Sequence, residues 1–208
     1  METNLNFRTR SNVLFISLAG LIFLSVLSAC DDDDPQKENT PELITKTTLT
    51  FTPSDGGATV TAMANDPDGE GVQDIEVAGP INLEPDKSYT LTIQLINELA
   101  DPTDPEYNIT EEVEEEGAEH MFFFSWTNDL FTDPAGDGNI DNRADAVNYK
   151  DEDESGQPIG LETSWTTAGL ASGTFHLVLK HQPDLKTGTS TAATGETDLD
   201  LEFDINIQ

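Results

Sequence analysis

From Asp198 to Ile207 the chain alternates polar and apolar side chains without a break. Leu199, Leu201, Phe203, Ile205 and Ile207 fall on one side; Asp198, Asp200, Glu202, Asp204 and Asn206 fall on the other. A period of two marks a half-buried β-strand and does not suit an amphipathic helix, whose faces repeat every 3.6 residues. Five acidic or amide side chains on the outer face also make it a poor template for edge-to-edge aggregation.

The same period organises most of the remaining chain. In residues 88–97, Tyr89, Leu91, Ile93 and Leu95 alternate with Ser88, Thr90, Thr92 and Gln94. In residues 43–52, Leu43, Thr45, Thr47, Leu49 and Phe51 share a face, and 58–64 return from it through Pro53-Ser54-Asp55-Gly56-Gly57, a sequence with hairpin turn chemistry. Further strands are expected at 120–126, 144–150, 159–167 and 172–181, with 168–173 as the turn between the last two. The segment 120–126 (HMFFFSW) is apolar on both sides, which suits a central strand. Residues 108–118 break the pattern. Asn108 as N-cap and Glu111 three residues on form a capping box, Ile109 and Val113 lie one turn apart, and Gly117 stands where a helix ends. The expected fold is therefore all-β: a single antiparallel immunoglobulin-like β-sandwich of about eight strands over residues 43–208, with one short acidic helix.

The first 29 residues have a different character. Arg8 and Arg10 form a positive start, and an apolar run from Val13 to Leu27 follows. At about 15 residues it is short for a membrane-spanning helix, which needs about 20, and fits the core of a signal peptide. Leu27-Ser28-Ala29-Cys30 resembles a bacterial lipobox, in which cleavage precedes the cysteine and its thiol carries a diacylglyceryl group. Residues 1–29 thus read as a lipoprotein signal peptide and Cys30 as the lipidation site. Several acyl chains at about 0.8 kcal/mol per buried methylene hold such a protein on its membrane. Cys30 is the only cysteine, so the domain has neither a disulfide nor a cysteine metal site.

Asp31, Asp32, Asp33 and Asp34 follow directly. They resemble the acidic export signal that Bacteroidota surface lipoproteins carry behind the lipidated cysteine. In enterobacteria, Asp after the cysteine instead retains a lipoprotein in the inner membrane. The surface of the outer membrane is the favoured location, and the periplasmic face of a membrane is the alternative. Residues 30–42 contain no apolar side chain beyond the cysteine itself and read as a disordered acidic tether.

Cleavage before Cys30 leaves one domain's worth of chain. The 41 acidic residues against 9 basic give a net charge of −32. That excludes nucleic acid as a partner, because phosphate binding needs clustered Lys and Arg. It favours solubility and attracts cations.

The stretch Asp133, Asp137, Asn139, Asp141 and Asp145 is the sequence's calcium candidate, since closely spaced Asp and Asn on a Gly turn can supply calcium's oxygens. Against an EF-hand loop, Ala135 and Ala144 stand where two ligands belong, so an acidic loop without a bound ion is the competing reading. Asp66-Pro67-Asp68-Gly69-Glu70 is a weaker instance of the same chemistry. His176 and His181 fall on opposite sides of one expected strand and cannot share a metal unless a bulge intervenes. His120 lies beside Glu119 and the acidic helix, where a Glu/His cation site can form, although a lone strand-end histidine is more often structural. Trp126 and Trp165 read as core. No Ser or Cys nucleophile motif, phosphate loop or HExxH segment occurs, and a non-enzymatic protein is expected.

Glu42-Leu43-Ile44-Thr45, Leu49-Thr50-Phe51-Thr52-Pro53, Asp66-Pro67-Asp68-Gly69, Ile109 to Glu116, Glu119-His120, Phe122-Phe123-Phe124 and Gly195-Glu196-Thr197-Asp198 together resemble a family of small Bacteroidota surface lipoproteins. Some of its members are labelled as having a type 1 periplasmic binding fold. That label implies two α/β lobes, which this alternation does not provide, and the resemblance carries no binding residue over. The family is functionally uncharacterised, so the resemblance implies an outer-membrane lipoprotein and no activity. The leading expectation is a non-enzymatic surface module that binds a ligand or cation, accessory to nutrient uptake and, by analogy only, beside an outer-membrane transporter. The alternative is a structural or adhesive surface domain stabilised by calcium.

Overall fold

The computed structural model describes residues 42–69 and 75–208. The leader, Cys30, Asp31 to Asp34 and the tether as far as residue 41 lie outside the described residues, as does 70–74. Among the described residues ten strands and one α-helix follow in order: β1 (Lys46–Pro53), β2 (Val60–Asn65), β3 (Glu76–Val77), β4 (Ile81–Leu83), β5 (Ser88–Ile96), α1 (Ile109–Glu115), β6 (His120–Trp126), β7 (Phe131–Asp133), β8 (Glu162–Thr167), β9 (Ala171–His181) and β10 (Glu196–Ile207), with a 3-10 turn at Pro105–Tyr107. They form an all-β sandwich. One sheet runs β3-β2-β1-β5-β8-β7 and the other β4-β10-β9-β6. All pairings are antiparallel except β10 with β4, where Ile205 to Ile207 run alongside Ile81 to Leu83.

The alternation read in the sequence sets the inner faces. Leu49 and Phe51 of β1, Tyr89, Leu91, Ile93 and Leu95 of β5, and Leu199 to Ile207 of β10 are buried at every second position. Trp165 of β8 is the centre of the core. Its ring lies 4.8 Å from Phe131 of β7, 5.1 Å from Phe175 of β9 and 5.2 Å from Trp126 of β6, so both sheets meet on it. The pairs with Trp126 and Phe175 are edge-to-face, a geometry that contributes roughly 0.5–1.5 kcal/mol per pair beyond buried area.

Three details depart from the expectation. Residues 144–150 form no strand; Tyr149 makes one isolated bridge to Thr163, because only Val147 and Tyr149 supply an apolar alternation there. The helix ends at Glu115, and Asn108 donates its amide to the Glu111 carboxylate at 3.2 Å without capping a backbone N–H.

The third departure is β6, which is the edge of its sheet despite being apolar on both faces. The 137–159 segment seals that edge. Asn139 accepts from Phe124 N–H through Oδ1 at 3.0 Å and donates its own N–H to the Phe124 carbonyl at 2.7 Å, imitating a strand neighbour. Trp126 N–H donates to Asp137 O and Phe122 N–H to Ile159 O. Gly138, at φ +97°, lies directly on the Phe124 carbonyl, and a Cβ there has no room. Outside β6, Arg143 lies over the Phe123 ring at 5.9 Å.

Candidate metal centre

The short helix and three strand ends converge at one end of the sandwich. After α1 the chain turns tightly: Glu119 N–H and His120 N–H both donate to the Glu116 carbonyl, at 2.8 and 3.2 Å. This brings the last turn of the helix against the first residue of β6. His120 is then directly opposite His181, the last residue of β9, in the antiparallel register. The imidazoles stack with centroids 4.6 Å apart and planes 8° apart. Both are buried: the His120 side chain is 0% exposed and the His181 side chain 5%. On the other side of β9, Gly195 at φ +74° carries the returning chain so close to the His181 carbonyl that no side chain fits between them.

β10 contributes through an irregularity. Its register with β9 shifts between Thr197 and Leu199, and the intervening Asp198 turns inward. The alternation assigned Asp198 to the outer face with Asp200, Glu202 and Asp204; the bulge overturns that for this residue alone, leaving its side chain 0% exposed. Burial pushes its pKa up to about 6, against the pull of His120 and His181.

Four carboxylates surround the imidazole pair. Glu42 Oε1 and Asp198 Oδ2 lie 3.5 and 3.7 Å from His120 Nε2, contacts too long for good hydrogen bonds. His120 Nδ1 is 3.4 Å from the Glu116 carbonyl. His181 Nε2 meets Glu119 Oε2 at 3.3 Å. One carboxylate oxygen of Glu116 and one nitrogen from each ring lie within 4.8 Å of one another, and among the described residues this is the one set of three His, Cys, Asp or Glu groups that does so. Burial pushes the Glu42 carboxyl up, but His120 beside it, with help from Glu112, more than offsets this and holds it below its ordinary value.

His120 Nε2, His181 Nδ1 and both Asp198 oxygens are buried and make no hydrogen bond of good geometry, although Glu42 lies against both His120 and Asp198. Buried polar atoms in native proteins are nearly always paired. Four such atoms gathered at one end of the sandwich set this cluster apart from the rest of the core.

The calcium candidates behave differently. Asn139 is 0% exposed and spends its whole amide on the β6 edge, donating to Tyr149 Oη at 2.9 Å in addition to the contacts above. Asp133 accepts from Asn148 at 2.9 Å and Asp145 from Asn142 at 2.8 Å. No three of Asp133, Asp137, Asp141 and Asp145 come within 4.8 Å, so the structure does not gather these residues into one oxygen cage. Asp66 Oδ1 accepts from Gly69 N–H at 3.0 Å and closes its own turn. His176 is on the outer face, paired to Asp200 at 2.6 Å and apart from His181, in line with its parity. The sequence pointed to His120 and Glu119 but not to Asp198 or to the His120–His181 stack. Strand register alone carries that information. No protein-family model, no curated protein and no solved structure matches this chain.

Proposed function

We propose that this chain is a lipid-anchored, surface-exposed module of an outer membrane that binds a cation without catalysing a reaction. The observation that carries the binding half is the buried imidazole pair, with a nitrogen of each ring left unpaired among four carboxylates. Leaving such groups unpaired costs about 1–3 kcal/mol apiece, a cost that a cation at the same place would remove. The net charge of −32 draws cations to the surface in general. The anchoring half rests on Leu27-Ser28-Ala29-Cys30 and the four aspartates behind it.

The experiment is a thermal-shift screen of chelator-stripped protein against Zn²⁺, Cu²⁺, Ni²⁺, Ca²⁺ and Mg²⁺. A ligand at 100 times its Kd stabilises by about 2.7 kcal/mol, a shift of several degrees. A response to at least one ion, absent in His120→Asn, is expected; no response to any of them refutes the binding half. Stabilisation by calcium alone at millimolar level favours the structural or adhesive surface domain instead. For the anchoring half, protease added to intact cells is expected to remove the domain, and full protection places it on an inner face.

A further inference from the structure

The ion itself can be named by class from the donors, an inference that rests on the cation-binding reading above. We infer that the ion is a first-row transition ion of the Zn²⁺ type, ligated by His181 Nδ1, a ring nitrogen of His120 and the Glu116 carboxylate, with Glu119 as a positioning residue.

The ligand atom on His181 follows from its surroundings. A carboxylate 3.3 Å from Nε2 favours the tautomer with the proton on Nε2. That leaves the Nδ1 lone pair unprotonated, buried and without a partner. A histidine held at one ring nitrogen by a carboxylate and open at the other is the arrangement that metal-ligating histidines show, because the carboxylate fixes the ring and raises its basicity. On His120 the arrangement is reversed: Nδ1 faces the Glu116 carbonyl at 3.4 Å, and Nε2 is the nitrogen left without a good hydrogen bond.

Donor chemistry then separates the ions. Calcium takes six to eight oxygens, and magnesium keeps much of its water. Imidazole suits Zn²⁺, Cu²⁺ and Ni²⁺. Two of the three converging groups here are imidazoles, and neither is exposed enough to leave room for several waters. The three ligand atoms, within 4.8 Å of one another, must close somewhat for bonds of about 2.0–2.2 Å. Since the rings are nearly parallel, one must turn about its χ2 for both lone pairs to reach one ion, so the stack opens on loading.

The test is calorimetric titration of the metal-free full chain with Zn²⁺, repeated in excess Ca²⁺, together with the visible spectrum of the Co²⁺-loaded protein and the ¹⁵N shifts of the histidine rings. Expected are one Zn²⁺ per chain at micromolar affinity or better, no competition from a ~100-fold excess of Ca²⁺, and a Co²⁺ spectrum typical of nitrogen ligation. His181→Gln is expected to abolish binding and Glu116→Gln to weaken it, while His176→Asn on the outer face leaves it unchanged. Glu116 is only partly buried, so its variant remains informative if a histidine variant fails to fold. Glu119→Ala should lower affinity by ~10–100-fold and shift the His181 proton away from Nε2, a change that lost packing alone does not produce. Zinc binding that is indifferent to His181→Gln and Glu116→Gln, or calcium competing at equal concentration, overturns this inference and leaves the cation-binding reading standing. Failure of every ion to bind overturns both.

Discussion

Taking an ionised carboxylate out of water without a partner costs several kcal/mol, and Asp198 bears much of that cost. Its folded pKa, about 6, is above its ordinary 3.8. Below about pH 4 both the folded and the unfolded chain hold the proton. Between about 4 and 6 the unfolded chain releases it while the folded chain keeps it, so this group's contribution to stability falls as pH rises through that window. At neutral pH the deficit is on the order of 2–3 kcal/mol. Asp198→Asn is therefore expected to stabilise the metal-free protein at pH 7.5 and to leave it nearly unchanged at pH 4, as read from urea melts at the two pH values. Equal effects at both would mean that Asp198 does not carry the charge assigned to it. Glu42 acts with the opposite sign. Its folded pKa is held down, so it contributes stability above its unfolded pKa, and that contribution is lost as pH falls through the folded one.

At the scale of elements, β6 is the strand most dependent on its surroundings. Its outer edge has no strand beside it, and Asn139 supplies the missing partner. Asn139→Ala leaves the Phe124 N–H buried and unpaired and removes a donor from Tyr149, which costs about 2–3 kcal/mol. The expected result is a lowered urea midpoint that added calcium does not restore, with zinc binding intact. Restoration by calcium would return Asn139 to the list of ligands. The same strand marks the limit of what the sequence disclosed. Period-two alternation was legible wherever one face met the core and the other met water, as in β1, β5 and β10. It could not distinguish a central strand from an edge strand covered by a loop, because both are apolar on two faces. It also could not register the bulge at Asp198. One unpaired residue reverses the side on which a carboxylate falls, and nothing in Glu196-Thr197-Asp198-Leu199 announces it. His120 and His181 were individually visible; their apposition depended on strand pairing between residues 61 apart in the chain.

For the whole molecule, charge is the dominant variable. A net −32 opposes compaction by self-repulsion, and the site adds four carboxylates around two imidazoles at one end. Raising ionic strength from about 0.01 M to about 0.1 M shortens the screening length from about 30 Å to about 10 Å. The melting temperature of the metal-free protein is expected to rise over that range. Calorimetry that finds no rise would show that the acidic side chains are already neutralised by their own surroundings. Zinc-loaded protein should respond less, because the ion offsets the most concentrated part of the field.

The placement of the aromatic core has a consequence for how occupancy can be observed. Both tryptophans lie at the far end of β6 from His120, since Trp126 ends that strand and Trp165 packs against it at 5.2 Å. Six residues of strand at about 3.3 Å each separate His120 from Trp126 by about 20 Å. A paramagnetic ion at the imidazoles is beyond the reach of contact quenching. The tryptophan emission of this protein is thus expected to report unfolding rather than contact with the ion. Zinc, which has no absorption to receive that emission, can be followed by its effect on the melt.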